Sequence, residues 1–533
     1  MYAYFALQSQ TRKRKPFPKL PVRHIPVYGN DPCAHRDYGY GSTVCVCNVT
    51  YCNTLAPIAR TGPGVVTVYE SSKQGDRFLE SQLKFGHYQH TGAAKAQTIT
   101  VDRSKGRYQK IVGFGGAFTD STGLNIKSLP EKLQKQLIGD YYSGTGIEYN
   151  LGRVPIASSD FSTHGYSYDD KSVGDFEFKH FALTAEDFDY KIPYLKLAKE
   201  ANKNANFFGS PWSPPAWLKN NSQLNHGGYL IGNPGGQHYK AFAHYLVKFL
   251  DAYKAQGVPM WGITIENEPG AGKHPDWANP SLGFTAQQQR DFIKLDLGPI
   301  MEGAGYGANT TQLMMFDDGR NEIQDWARTI LGDREAARYV AGVAFHWYAN
   351  TVDNIVNLDT AHGVDPSKFL LATEACEEWR GQDKHVHLGS WDAFERYAND
   401  IIRDLNHWTG GWVDWNLALD TRGGPNWVNN FVDAPIIINA TGHEYYKQPI
   451  YYAMGHYSKF LAPGSQRVYN SLGTSVDKFE ATVFERPDGG TVVIVLNLSG
   501  DAIDVTINDV QNKGKVTHLL KPHSIQTYVY YKN

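Results

Sequence analysis

The sequence predicts an α/β fold: a (β/α)8 TIM barrel, with an accessory β-sandwich formed by both chain ends and a small disulfide-tied β-sheet subdomain. Three observations lead there. From about residue 110, short apolar stretches alternate with amphipathic helix-like ones, the rhythm of parallel βα units. Eight of these stretches can be counted, which closes naturally into a barrel. Both flanks instead carry alternating strand-like segments, such as TVVIVLNL and IQTYVYY, with PDGG as a hairpin turn.

The eight barrel strands start at Ile111 (IVGFGG), Tyr149 (YNLGRVP), Ala205 (ANFFGS), Val258 (VPMWGITIE), Thr311 (TQLMMFD), Tyr339 (YVAGVAFHWY), Lys368 (KFLLATE) and Gly411 (GWVDWN). Ser128 with Glu131, Thr184 with Asp187, and Thr285 with Gln288 have the spacing of an N-cap and its third-position partner. Phe242, Leu246, Phe249, Leu250 and Tyr253 make one apolar helix face that stops at Gly257. The expected division is 107–416 plus 449–464 for the barrel and 57–106 plus 465–533 for the sandwich. Residues 31–56 plus 417–448 are assigned to the small cysteine-tied subdomain, and residues 1–30 to a leader or tag. In that leader the basic run follows the short apolar stretch, the reverse of a signal peptide.

Composition narrows the function classes. A chain of 533 residues with 41% hydrophobic and 20% charged residues is a globular protein of two or three domains. A net charge of -2 gives no field for nucleic acid. No run of 18 apolar residues exists to span a membrane, and surface association stays open. Aromatic residues reach 13%, which suits stacking on sugar rings, although a large aromatic core gives the same composition. Cys33, Cys45, Cys47 and Cys52 lack the pairing of a zinc site and read as a disulfide knot, expected to lie away from the barrel mouth, with Cys376 left as a buried thiol. Asn48, Asn220, Asn309, Asn439 and Asn497 carry glycosylation sequons; with the knot, they point to a secretory route.

In a TIM barrel the chemistry lies at the C-terminal strand ends. Those ends supply Arg153 and then Asp160, Trp212, the Glu266-Asn267-Glu268 triplet, Asp317, His346, Glu374 and Trp415. Carboxylates on strands four and seven face each other across the mouth. One protonating the leaving oxygen and one attacking the anomeric carbon is the pair that retaining glycoside hydrolysis needs. Glu266 and Glu268 alternate on one face of their strand, so spacing does not choose between them. Arg153 is placed to orient the nucleophile by a charge-assisted bond. Asp317 reads as a bracing residue. GFGGAF lacks the GxGxxG spacing of a nucleotide loop, no GxSxG elbow is present, and His385 and His387 have no third ligand; no cofactor or metal is expected.

The residues GFGGAFTD (113–120), RVPIASSDFS (153–162), SPWSPPAWLK (210–219), TIENEP (264–269), HWY (346–348), TEAC (373–376) and DWNLALDTRGGPNWVNNFVDAPII (414–437) resemble the glucosylceramidase branch of glycoside hydrolase family 30. The resemblance runs from about Cys33 to Tyr530. It implies Glu268 as acid/base and Glu374 as nucleophile. It also implies Asp160, Trp212, Asn267, His346, Trp415 and Asn430 as substrate-binding residues, with Asn267 on the sugar 2-hydroxyl. The same resemblance implies disulfides Cys33–Cys45 and Cys47–Cys52, a glucosylceramide substrate, an anionic lipid membrane surface and a saposin-type activator protein as partners, and a lysosomal or secreted location.

Overall fold

The computed structural model describes residues 30–86, 91–379, 385–473 and 476–532. Of the leader expected over residues 1–30, residues 1–29 lie outside the described residues, whereas Asn30 is part of the fold, donating to the Phe78 carbonyl at 2.7 Å and accepting from the Ala56 amide at 2.8 Å.

The barrel is present and closed. Its strands are β1 Gly113–Ala117, β2 Leu151–Ile156, β3 Asn206–Pro211, β4 Gly262–Thr264, β5 Gln312–Gly319, β6 Gly342–His346, β7 Phe369–Glu374 and β8 Thr409–Asn416. They pair in chain order, all parallel, and β8 returns to β1. Because helices cover the outside, these strands are buried on both faces, and β8 is buried at every position. At the closing seam Gly411 lies beside Gly113, where a Cβ on Gly411 would meet the Gly113 carbonyl oxygen at 1.8 Å. Leu151, Phe208, Met314, Ala344, Leu371 and Val413 form a buried apolar layer inside the barrel, so it is filled rather than hollow.

The helix Gln237–Ala255 buries the face read from its periodicity and ends before Gly257, which takes φ +79°. Thr285 and Gln288 form a reciprocal capping box, and Asp187 accepts from the Thr184 amide at 3.0 Å. Ser128 does otherwise: its hydroxyl donates to the Asn125 carbonyl and closes the preceding helix, Asp120–Lys127. Pro130 occupies the cap position of the next helix, Glu131–Tyr142, which starts without a side-chain cap.

Both flanks enter two packed sheets. The central strand Ser524–Tyr531 pairs antiparallel with Val65–Ser72 on one side and with Gly490–Asn497 on the other, tying the chain's ends together. Arg107–Lys110 also belongs to that sheet, slightly past the boundary expected at 106. A separate five-stranded sheet joins His35–Asp37 and Thr43–Asn48 to Glu444–Lys447, Ile436–Asn439 and Ala418–Asp420. Disulfides Cys33–Cys45 and Cys47–Cys52 fasten its edge.

This small sheet is not remote from the barrel mouth. Val44 and Val46 belong to one buried cluster with Trp212, Trp415 and Cys376. The sheet meets the tryptophan wall of the cavity described below through Val44 and Val46, whereas Cys45 and Cys47 alternate onto its other face, in a different buried cluster. Changing Cys33 and Cys45 together to serine is expected to lower stability by about 2–4 kcal/mol and to raise KM for a soluble glucoside. Denaturant unfolding and steady-state kinetics check both; an unchanged KM would mean that the sheet does not steady the wall.

Candidate active site

In the middle of β2, and not at its end as expected, the Arg153 guanidinium is fully buried and organises the neighbouring strand ends around it. Its Nη1 donates to Glu374 Oε2 at the end of β7, and its Nη2 to Asp317 Oδ2 at 2.8 Å and Asn267 Oδ1 at 2.8 Å. Its Nε reaches Ser210 at 3.1 Å. The planar fork thus serves four strand ends at once, which an ammonium could not do. Trp212 and Trp415 stack at 5.1 Å between centroids, and the guanidinium lies 4.9 and 5.5 Å from their rings.

A second line of contacts joins the two expected catalytic carboxylates. Tyr348 donates its hydroxyl proton to Glu374 Oε1 at 2.7 Å. His346, at the end of β6, places Nδ1 3.1 Å from Glu268 Oε1 and Nε2 3.1 Å from Asp317 Oδ1. Although burial opposes its charge, the carboxylates of Glu374, Asp317 and Glu268 push the His346 pKa up to about 10. Asp317, buried but facing Arg153 and this imidazolium, is held well below the usual carboxylate range. One oxygen of Glu268 and one of Glu374 lie within 4.8 Å of each other and of a His346 nitrogen.

Asp160, Trp212, Asn267, Glu268, Glu374, Trp415 and Asn430, all read from the sequence, line one cavity of about 420 Å³. Arg153 and His346 sit beneath it, both fully buried. Asp160 Oδ2 accepts from the amides of Asn430 and Asn426, each at 3.0 Å. Burial, together with the charge on Glu374, raises its pKa to about 7 despite those bonds.

The structure separates the two glutamates of the triplet. β4 ends at Thr264, and Glu268 takes φ +46°, so strict alternation fails beyond the strand. Glu268 faces the cavity, whereas Glu266 is fully buried and both of its carboxyl oxygens lack a hydrogen-bond partner among the described residues. Phe316 and Asp317 also have positive φ, at +76° and +68°, where the β5–β6 register slips. Such backbone conformations cost about 1–3 kcal/mol each and gather at functional sites.

Several residues of the site were not singled out by sequence. Tyr348 lay inside the HWY motif but was given no role. Asp318 lay beside Asp317 in the β5 end; its Oδ2 accepts from the Gly270 amide at 2.9 Å, just past Glu268. Burial and the charge of Glu268 raise its pKa to about 6. Trp277, Trp379 and Asn429 form the rim from loops that periodicity does not address. Among the sequons, Asn220 and Asn309 are exposed, and Asn48 and Asn439 are half-buried. Asn497 must be corrected: it is fully buried, and its amide donates to the Asp501 and Lys521 carbonyls at 2.8 Å each, so the folded protein has no room for a glycan there.

Comparison with known proteins bears on the whole chain. Residues 111–461 match the glycosyl hydrolase family 30 TIM-barrel domain, and residues 464–528 match the family 30 beta sandwich domain. Over 503 residues the chain is 44% identical to putative glucosylceramidase 4 of Caenorhabditis elegans, covering 94% of this chain and 95% of that protein. It is 42% identical to lysosomal acid glucosylceramidase of Mus musculus over 505 residues, covering 94% and 96%. Among solved structures, SrfJ from Salmonella typhimurium superposes with a TM-score of 0.78 at 26% identity, covering 88% of this chain and all (100%) of that one.

Proposed function

The chain belongs to glycosyl hydrolase family 30, and on that premise we propose that it hydrolyses glucosylceramide to glucose and ceramide by double displacement with retention. The observation that carries the mechanism is the short gap between Glu268 and Glu374, with an oxygen of each within 4.8 Å. Retaining enzymes hold the two carboxyl groups about 5–5.5 Å apart, and inverting ones need about 6.5–9.5 Å to admit a water. The substrate reading rests on near full-length likeness to proteins named glucosylceramidases.

In this reading the Glu374 carboxylate attacks the anomeric carbon while Glu268 gives its proton to the departing ceramide oxygen. Water then attacks the glucosyl-enzyme, Glu268 takes the water's proton, and Glu374 leaves as a carboxylate. Arg153 and Tyr348 aim the Glu374 carboxylate, since each donates a hydrogen bond to one of its oxygens. Asn267, fixed by Arg153, meets the sugar 2-hydroxyl. Asp160, with Asn430 beside it, binds hydroxyls on the far side of the ring, against the Trp212 and Trp415 wall. Ceramide extends past the rim toward a lipid surface.

None of the described helices is long and apolar enough to cross a membrane. We assign the enzyme to the surface of anionic lipid in the lysosomal lumen, or to secretion, with help from a saposin-type activator. The test is hydrolysis of glucosylceramide in anionic-lipid vesicles, beside xylan and a β-1,6-glucan. Turnover of glucosylceramide alone is expected; turnover of a polysaccharide alone would overturn the substrate reading.

Asp318 supplies a pH test. A carboxylate beside a general acid favours retention of the acid's proton, and Asp318 lies close enough to Glu268 for their charges to act on each other. Asp318→Asn is therefore expected to move the alkaline limb of kcat/KM to lower pH, by roughly half a unit to one unit. The shift should be largest for substrates with poor leaving groups. An unmoved limb would remove Asp318 from the acid's control.

A further inference from the structure

The long loop between β2 and the helix beginning at residue 185 holds a second cluster of chemistry-bearing side chains. Asp169, Asp175 and His180 present ligand atoms that all lie within 4.8 Å of one another. Two other such groups exist among the described residues, but one contains the disulfide-bonded Cys47 and Cys52, and the other is the Glu268–His346–Glu374 set already described.

Asp169 makes this group more than an acidic patch. It is 4% exposed, and its Oδ2 is buried with no hydrogen-bond partner among the described residues. The Ser172 hydroxyl bonds to the carboxylate, the like charges of Asp175 and Asp170 act against it, and His180 acts in its favour. A buried carboxylate oxygen with no donor and like-charged neighbours is costly to keep. The backbone holds it there: the Trp217 indole N–H donates to the Asp169 carbonyl at 3.0 Å, while the rings of Phe176 and Phe178 pack on Trp217 at 5.4 and 5.9 Å. Opposite, Asp175 Oδ2 faces His180 Nδ1 at 2.9 Å and accepts from the His180 amide at 2.9 Å. His180 itself reaches solvent, which gives an ion a way in.

We propose that Asp169, Asp175 and His180 form a structural site for a divalent transition-metal cation, Zn2+ foremost, that pins the loop following β2. One imidazole and two carboxylates are a donor set that suits zinc better than calcium, which prefers oxygen alone. The ion supplies a positive partner at Asp169 Oδ2, the carboxylate oxygen that has no hydrogen bond among the described residues. It replaces the direct Asp175–His180 contact, drawing the three donors to about 2.0–2.2 Å from one centre. Its effect falls on the loop that begins just after Asp160, so it steadies the cavity wall without touching the sugar.

The experiment is calorimetric titration of ZnCl2 into the chelator-treated full chain at neutral pH, where histidine is free to bind. One zinc per chain is expected. Asp169→Asn, which keeps the shape of the side chain, and His180→Gln, at an exposed position, should each weaken binding by at least about tenfold. Zinc should raise the thermal midpoint of the parent protein and of neither variant. His385→Gln with His387→Gln is the control for an adventitious surface pair and should leave the affinity unchanged. Absence of binding at millimolar zinc, an Asp169→Asn variant that binds like the parent, or affinity that follows His385 and His387 would each overturn the proposal.

Discussion

Glu374→Ala is expected to abolish release of β-glucose from every substrate, whatever its leaving group, with a loss on the order of 10⁴-fold or more. Added azide should take the emptied position and give α-glucosyl azide in a single displacement. Glu268→Ala is expected to differ in kind. Its loss on natural substrate should be about 10²- to 10⁴-fold, but good leaving groups need little protonation, so their first step survives. Deglycosylation then limits, and azide should restore turnover as the β-glucosyl azide. Because Glu266 and Glu268 are two residues apart, Glu266→Ala is the internal control. Lying buried outside the cavity, it should give no azide rescue. Rescue of Glu266→Ala together with full activity of Glu268→Ala would reverse the assignment.

The second large effect is expected at Arg153. Exposed ion pairs contribute about 0–1 kcal/mol, but Arg153 is fully buried between Glu374 and Asp317. Arg153→Met leaves both carboxylates in low dielectric without their partner, a change that costs about 3–5 kcal/mol. Set against a total stability of about 5–15 kcal/mol, that is a large share, and soluble yield should fall. Arg153→Lys keeps the charge but not the fork. It should fold better than Arg153→Met, yet lose kcat, because one ammonium cannot hold Glu374, Asp317 and Asn267 in register. Equal kcat in the lysine variant and the parent would show that charge alone matters.

The barrel was readable because its strands are continuous apolar runs of about strand length, separated by helices with start and stop signals. Thr285 and Gly257 are two of those signals, and the structure uses both. The site was readable because strand ends in this fold converge on one mouth, so Asp160, Trp212, Glu374 and Trp415 needed only their place in the strand order. Legibility stopped where the backbone leaves regular geometry. Positive φ at Glu268 and Asp317 breaks the two-residue alternation, so the choice between Glu266 and Glu268 came from family resemblance and not from spacing. Asp318 was hidden by the same kink. Ser128 shows a different limit: one Ser-x-x-Glu pattern serves the end of one helix as well as the start of the next, and Pro130 decided the matter. The contact of the small sheet with Trp212 and Trp415 joins residues more than 150 positions apart, which no local pattern encodes. Nor does a sequon register that Asn497 is the buried last residue of a sandwich strand.

The most direct test is to trap the covalent intermediate. The full chain is incubated with a 2-deoxy-2-fluoro-β-glucoside bearing a good leaving group, digested, and mapped by mass spectrometry. The expected result is one fluoroglucosyl group on Glu374, in the peptide containing TEAC, with slow recovery of activity once the reagent is removed. Label on Glu268, Glu266 or Asp317, or release of α-glucose with no labelled peptide, would contradict retention through Glu374.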